Sequence, residues 1–270
     1  MPAFYFYINR NIANRDIMQA NIREQLLELN RQFYTTVAPH FNQTRMSDSP
    51  GLIKLLNYLP ECTIDNKCSI ADIGCGNGRL AWLLERVAMP WHYVGADADE
   101  QLLTLAQQNT AQLTHVQPHF VTIDLAQQGW STLIRKRRSQ FDCITCLATM
   151  HHLPSYELRL QVLQEMASLL KSDGQIILSF WQFLASERLV KRQINWETIG
   201  MTEQDVEPRD VLLPWKQGTF AIRYAHQVDE DELEQLIYDA GLNLIEIFRA
   251  DGHTNNLNLY ARLSAERRTD

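Results

Sequence analysis

Apolar residues of the N-terminal third recur at helical spacing, with Leu26, Leu29, Phe33 and Val37 falling on one stripe of "REQLLELNRQFYTTVA". The pattern predicts an amphipathic helix that follows an extension over residues 1–24. A second helix is expected to start near Pro50. The period then changes. Short apolar runs at 69–73, 92–96, 120–123, 142–147 and 175–180 read as strands, with helical segments between them. One such helix, 156–170, is expected to end at "KSDG" with Gly174 as its stop signal. Strands alternating with helices predict a parallel sheet covered on both faces. Past Trp181 the pattern dissolves into an irregular insert, 182–227. A helix opened by "VDEDELEQL" follows, where Asp229 supplies the cap and Glu232 closes the capping box. Two last runs near 243–248 and 257–263, joined by "RADGHTNN", predict an antiparallel strand pair. The organisation is therefore an extension, 1–24, and one α/β domain, 25–270, that carries an insert.

Composition adjusts this picture at a few points. A chain of 270 residues with 45% hydrophobic and 21% charged residues suits one large globular domain, and no apolar run approaches bilayer length. "MPAFYFYINR" lacks the basic start and cleavage site of an export signal. Cys143 and Cys146 share a strand-like run, where alternation sends them to opposite faces. Neither a disulfide nor a zinc site is expected, and the chain reads as cytoplasmic with reduced thiols. A net charge of -7 argues against a generally basic nucleic-acid binder. The densest basic run, Arg135, Lys136, Arg137 and Arg138, reads first as a solvated helix end and second as a local patch for RNA.

The chemistry concentrates at "SIADIGCGNGRL", where a strand ending in Asp72 runs into Gly74, Gly76 and Gly78. A dinucleotide fingerprint starting at Gly74 needs its third glycine at the position held by Arg79. The next two strands end at Asp97 and Asp124. Three carboxylates at the strand ends repel a pyrophosphate. They suit a ligand with hydroxyls, an amino group and a cationic centre.

This pattern, D-x-G-x-G-x-G with an acid about twenty residues on, resembles the signature of class I methyltransferases. The resemblance implies a Rossmann-like α/β fold, a seven-stranded mainly parallel sheet with an antiparallel terminal strand, and S-adenosylmethionine as cofactor. It places the cofactor on Asp72, Gly74, Cys75, Gly76, Asn77, Gly78, Asp97, Ala98, Asp124, Leu125 and Leu147. A narrower resemblance spans about residues 30 to 262. It is carried by "FYTTVAPHFNQTR", "ATMHHLPSYELRLQVL", Trp181, "EQDV", "LPW" and "IRYAHQ" in that order. Together these are similar to the tRNA wobble-uridine methyltransferases that esterify a carboxymethyl group on uridine. Departures are Ala225 and Leu257 where that family has aromatics, and extra residues "EPRD" in the insert.

The narrower resemblance implies a modified wobble uridine in tRNA as substrate, and a small zinc-containing activator as partner, docked on an edge strand that holds "HFVTIDL". Candidate substrate-side residues are Arg223, Arg249, His151, His152, Trp181 and Arg45. Each has a plainer alternative: the histidines bond their own loop, Trp181 and Trp215 fill core, and the arginines sit in surface ion pairs. Two other readings of the chain stay open, a small-molecule O-methyltransferase and an inactive cofactor-binding module.

Overall fold

One strand buried along its whole length organises the molecule. In the computed structural model, which describes residues 18–44, 49–63 and 65–265, all six residues of β1 (Cys68–Ile73) are buried. It pairs in parallel with β2 (Trp91–Asp97) on one side and β4 (Phe141–Leu147) on the other. β3 (Val116–Thr122) lies outside β2, and β5 (Leu170–Trp181) outside β4, both parallel. β9 (Asn258–Ser264) runs antiparallel to β5, and β8 (Asn243–Ala250) antiparallel to β9. The sheet order is β3-β2-β1-β4-β5-β9-β8, a mainly parallel seven-stranded sheet with an antiparallel end.

Side chains alternate across this sheet, as the pleat requires. Ile177 joins a core shared with α2 (Pro50–Leu55) and α3 (Arg79–Glu85), beside which α4 (Glu100–Thr110) packs. Ile176 and Leu178 join one shared with α6 (Tyr156–Ser168) and α8 (Glu230–Asp239). The N-terminal helix α1 (Ala20–Thr44) packs on the insert. Its Ile22 and Leu26, with Met18 just before it, meet Trp196, Met201, Leu212 and Tyr224; Phe33 and Val37 meet Trp215. The helix takes up residues 20–24, which the expected extension was to hold; residues 1–17 lie outside the described ones.

The structure corrects four local expectations. Helix α6 ends at Ser168, and Gly174 is not its stop but sits inside β5. There a Cβ would stand 2.9 Å from the Phe141 carbonyl oxygen, beside a register shift between Phe141 and Cys143, so glycine permits a close strand approach. The insert is not irregular: β6 (Asp210–Trp215) and β7 (Ala221–His226) form an antiparallel ribbon, preceded by the short helix α7 (Glu187–Val190). Cys62 and Cys68 are joined as a disulfide, because the loop before β1 folds their backbones together; Cys75, Cys143 and Cys146 are free and buried. Asp229 does cap α8 through the Glu232 amide (3.0 Å), but the Glu232 carboxylate is engaged elsewhere.

That carboxylate lies in a buried ionic cluster that ties the ribbon to the core. Arg159 of α6, only 1% exposed, bonds Glu232 (2.8 Å), Glu207 (2.6 Å) and the Leu153 carbonyl (2.9 Å). Arg209 holds a second Glu232 oxygen at 2.8 Å and also pairs with Asp229. His226 on β7 stands between Asp210 (2.6 Å from Nδ1) and Glu232 (2.8 Å from Nε2). Carboxylates only accept, so both ring nitrogens carry protons and the ring is an imidazolium. Burial and the Arg159 charge press its pKa down, the bonds to Asp210 and Glu232 press it up, and the net shift is upward from 6.5. Glu207, Asp210 and His226 offer three ligand atoms within 4.8 Å of one another, yet they are already bonded within the cluster by Arg159, Tyr224 and the imidazolium.

Removing one partner leaves a buried charge uncompensated, so Glu232→Gln should cost about 3–5 kcal/mol of unfolding free energy in urea titrations. The His226 contribution is complete below 6.5, its ordinary value, and is lost as pH rises through the raised folded value. Urea midpoints that fail to fall over that window, or an unchanged Glu232→Gln protein, contradict this account.

Candidate functional site

The carboxyl ends of β1 to β4 open into a cavity of about 990 Å³. Its floor is the glycine turn. Gly74, Gly76 and Gly78 have φ of 75°, 54° and 78°, a region that side chains disfavour. At Gly74 a Cβ would come 2.1 Å from Thr149 Oγ1, so the backbone there must stay bare. The amides of Gly74 and Cys75 donate to the Ala96 carbonyl at 2.7 and 3.0 Å, which pins the turn to the end of β2. Gly78 stands behind the turn as the N-cap of α3.

Three carboxylates face this space from successive strands. Asp72 accepts from Tyr93 Oη (2.6 Å) and Thr145 Oγ1 (2.8 Å); burial outweighs both bonds and pushes its pKa up to about 6. Asp97 accepts from the Gly76 amide (2.8 Å) and the Asp99 amide (3.0 Å), and burial again sets the direction, upward. Asp124 accepts from the Ala126 amide at 2.9 Å and from Arg31 at 3.3 Å. Among the residues expected to hold a cofactor, all but Gly78 line the cavity: Asp72, Gly74, Cys75, Gly76, Asn77, Asp97, Ala98, Asp124, Leu125 and Leu147. Burial raises the Cys75 thiol well above its ordinary value, which keeps it protonated.

The substrate-side candidates separate. A tight turn at Met150–His152 follows β4 and buries His151 and His152 with their rings 4.2 Å apart. His152 lines the cavity. His151 lies 5.9 Å from the Trp181 ring, and Trp181 in turn lies 5.3 Å from Phe183. Arg223 on β7 stacks its guanidinium 4.5 Å from the centre of Trp181, 5.4 Å from Phe33 and 6.0 Å from Trp215. Arg223, Trp181 and His151 are not among the residues that line the cavity.

Arg249 is not at the mouth. It lies on edge strand β8, bonded to Glu230 (2.9 Å) and Asn256 (2.9 Å), because the β8–β9 register gives the cavity Asn258 and Tyr260 instead. Arg45 lies outside the described residues. The run Arg135–Arg138 sits at the end of α5 (Ser131–Arg135), where β4 begins, at the far end of the sheet from the cavity. Arg135 there bonds the Ser139 and Ser168 carbonyls, as a solvated helix end does.

Sequence reasoning missed one wall. Leu27, Asn30, Arg31, Tyr34 and Thr35 of α1 line the cavity. Asn30 was the available signal: a polar residue on the buried stripe, four positions after Leu26 and three before Phe33.

Residues 71–176 match the family model of a methyltransferase domain. Similar curated proteins include the tRNA (carboxymethyluridine(34)-5-O)-methyltransferase ALKBH8 of Mus musculus, 29% identical over 162 residues, which is 60% of this chain and 21% of that protein. A tRNA (carboxymethyluridine(34)-5-O)-methyltransferase of Saccharomyces cerevisiae is 27% identical over 200 residues, 74% of this chain and 60% of its own length. The Schizosaccharomyces pombe one is 25% identical over 236 residues, 80% and 89%. The chain thus spans about a fifth of the mouse relative it matches.

Among solved structures, an S-adenosylmethionine-dependent methyltransferase from Clostridium acetobutylicum superposes with a TM-score of 0.59 at 13% identity, over 88% of this chain and 99% of the other. Magnesium protoporphyrin IX methyltransferase from Synechocystis, solved with bound SAH, superposes with a TM-score of 0.51 at 18% identity, over 98% and 95%. The fold is the Rossmann-like one of class I methyltransferases.

Asp72 gives this site a pH signature. Its pKa is raised on folding, so its contribution to stability is complete below 3.8 and is lost as pH rises through about 6. Asp72→Asn, which imitates the protonated acid, should flatten unfolding free energy across that window. An unaltered pH profile in a folded Asp72→Asn protein would show that the carboxyl is ionised throughout.

Proposed function

We propose that this chain, an S-adenosylmethionine-dependent methyltransferase, transfers its methyl group to the carboxymethyl arm of a modified wobble uridine in tRNA. The observation that carries the acceptor reading is Arg223, a guanidinium stacked on Trp181, whose ring adjoins that of His151. The name shared by the relatives points the same way.

The cavity fits the cofactor. Its floor is bare backbone where a Cβ at Gly74 would clash, and three carboxylates ring it. In our reading Asp97 takes the ribose hydroxyls, Asp124 the adenine amine, and the turn from Gly74 to Gly78, beside Asp72, the methionine end. S-adenosylmethionine, when bound, supplies an electrophilic methyl on a sulfonium. The protein's part is then placement. A carboxylate acceptor, with a reference pKa of about 4, is ionised at neutral pH and needs no general base. Arg223 grips it through paired hydrogen bonds, Trp181 and His151 form the wall beside it, and His152 faces the transfer. Positioning and exclusion of water supply the rate. The basic run Arg135–Arg138, distant from the cavity, meets a remote part of the RNA.

β3 is an edge strand, and an edge of this kind takes an added strand. A small zinc-containing activator is the partner we assign to it.

Two measurements test this reading. In calorimetry, Asp97→Ala should lose most S-adenosylmethionine affinity while remaining folded; unchanged affinity removes Asp97 from the site. In single-turnover transfer to tRNA carrying carboxymethyluridine, Arg223→Lys should slow methylation by about tenfold or more, since lysine cannot copy the paired contact, and leave cofactor affinity alone. Full rate in that variant refutes the carboxylate grip. A wild type that ignores this tRNA and methylates small acids makes the chain a metabolite O-methyltransferase. Full activity of the purified chain by itself removes the activator.

A further inference from the structure

Three segments far apart in sequence meet at one side-chain amide. Asn30 on α1, 6% exposed, donates from Nδ2 to the His152 carbonyl (3.1 Å) and accepts at Oδ1 from the Tyr224 amide (2.9 Å). The orientation of the amide is forced, because a backbone N–H only donates and a carbonyl only accepts. A third bond closes the triangle: His152 Nδ1 lies 3.1 Å from the Tyr224 carbonyl oxygen. That oxygen only accepts, so Nδ1 carries a proton, and in the neutral ring the lone pair falls on Nε2.

We propose that Asn30 is a positioning residue for methyl transfer, holding His152 as the neutral Nδ1–H tautomer whose Nε2 accepts a hydrogen bond from the methyl acceptor. This deepens the reading of the cavity given above and rests on it. An imidazolium beside a sulfonium would be repelled, whereas a neutral ring is not. It follows that the acceptor molecule presents an N–H or O–H donor within reach of the ring during transfer. The uracil ring of a uridine carries one, at N3; a simple aliphatic carboxylate has none. Tyr34, edge-on to His152 at 5.4 Å between ring centres, limits the ring's rotation. Asn30 fixes the backbone at both ends of the His152–Tyr224 bond, so the tautomer depends on it.

No shorter or charged residue can do the same. The carboxylate introduced by Asn30→Asp would accept from the Tyr224 amide but repel the His152 carbonyl, and the hydroxyl introduced by Asn30→Ser reaches one partner at most.

The test is nitrogen-15 NMR of the whole chain labelled in histidine, with His152 assigned by loss of its signals in His152→Gln. Wild type should show a protonated Nδ1 and a pyridine-like Nε2. Asn30→Asp and Asn30→Ser, both still binding S-adenosylmethionine within about twofold of wild type, should show mixed tautomers or a raised His152 pKa. Single-turnover methylation should fall about tenfold or more, with its pH profile displaced by the same amount as the His152 titration. A wild-type ring protonated at Nε2 overturns the proposal. So does an Asn30 variant that keeps both the wild-type spectrum and the wild-type rate. If wild type leaves the tRNA unmethylated while the spectra change as expected, the acceptor assignment falls and the role of Asn30 in fixing the ring stands.

Discussion

A fully buried guanidinium, Arg159, is the constraint on which the placement of the insert depends. Its ionic partners are a residue of the insert, Glu207, and one of the helix that follows it, Glu232. Burying an arginine costs several kcal/mol unless its charge and donors are met, so the insert and core must come together in one arrangement or the cost goes unanswered. The imidazolium of His226 extends the same demand to Asp210, and Tyr224 Oη bonds that carboxylate at 2.8 Å. Tyr224 is also the residue whose backbone meets Asn30 and His152. A network remote from the chemistry therefore sets where Arg223, the preceding residue on β7, stands relative to the cavity.

The donor side follows a different logic. Asp72, Asp97 and Asp124 gather negative charge around one space, and burial already resists ionisation of the first two. Such a site gives up stability for function: it becomes comfortable when a cation arrives, because a positive group lowers the penalty of ionising Asp72. The same charge pattern disfavours pyrophosphate ligands. The departure at Arg79 from the dinucleotide fingerprint and the acids at the strand ends are two expressions of one selectivity.

The donor half was legible because it is local. A strand, a glycine turn and an acid after each of the next two strands are fixed by neighbours in sequence, and every element of the seven-stranded sheet could be placed to within a few residues. The acceptor half was legible only in part. Arg223 and Arg249 looked alike as arginines beside a loop; the β8–β9 register turned Arg249 toward Glu230, and the ribbon brought Arg223 onto Trp181. The ribbon itself was hidden because Pro214 interrupts its apolar run, which a strand of a two-stranded sheet tolerates. Gly174 misled for the reason that glycine serves both helix ends and close strand contacts. The Cys62–Cys68 pairing depends on the loop before β1 folding back on itself, which residue spacing alone does not reveal.

This division bears on how far likeness of fold can reach. The Clostridium acetobutylicum enzyme shares the sheet at 13% identity, and what a shared sheet conveys is the set of strand ends that receive a cofactor. In the reading proposed above, acceptor choice rests on residues 30, 152 and 223, drawn from the N-terminal helix, the turn after β4 and the ribbon. No one of these segments fixes the geometry alone: without the Tyr224 amide the buried Oδ1 of Asn30 would lose its donor, and without the Tyr224 carbonyl His152 would lose the acceptor that holds the proton on Nδ1. A change of acceptor would have to alter all three together, whereas the glycine turn could stay as it is. On that reading the scaffold is permissive where it would bind the donor and demanding where it would meet the acceptor, and the demand comes from buried hydrogen bonds that span nearly two hundred residues of chain.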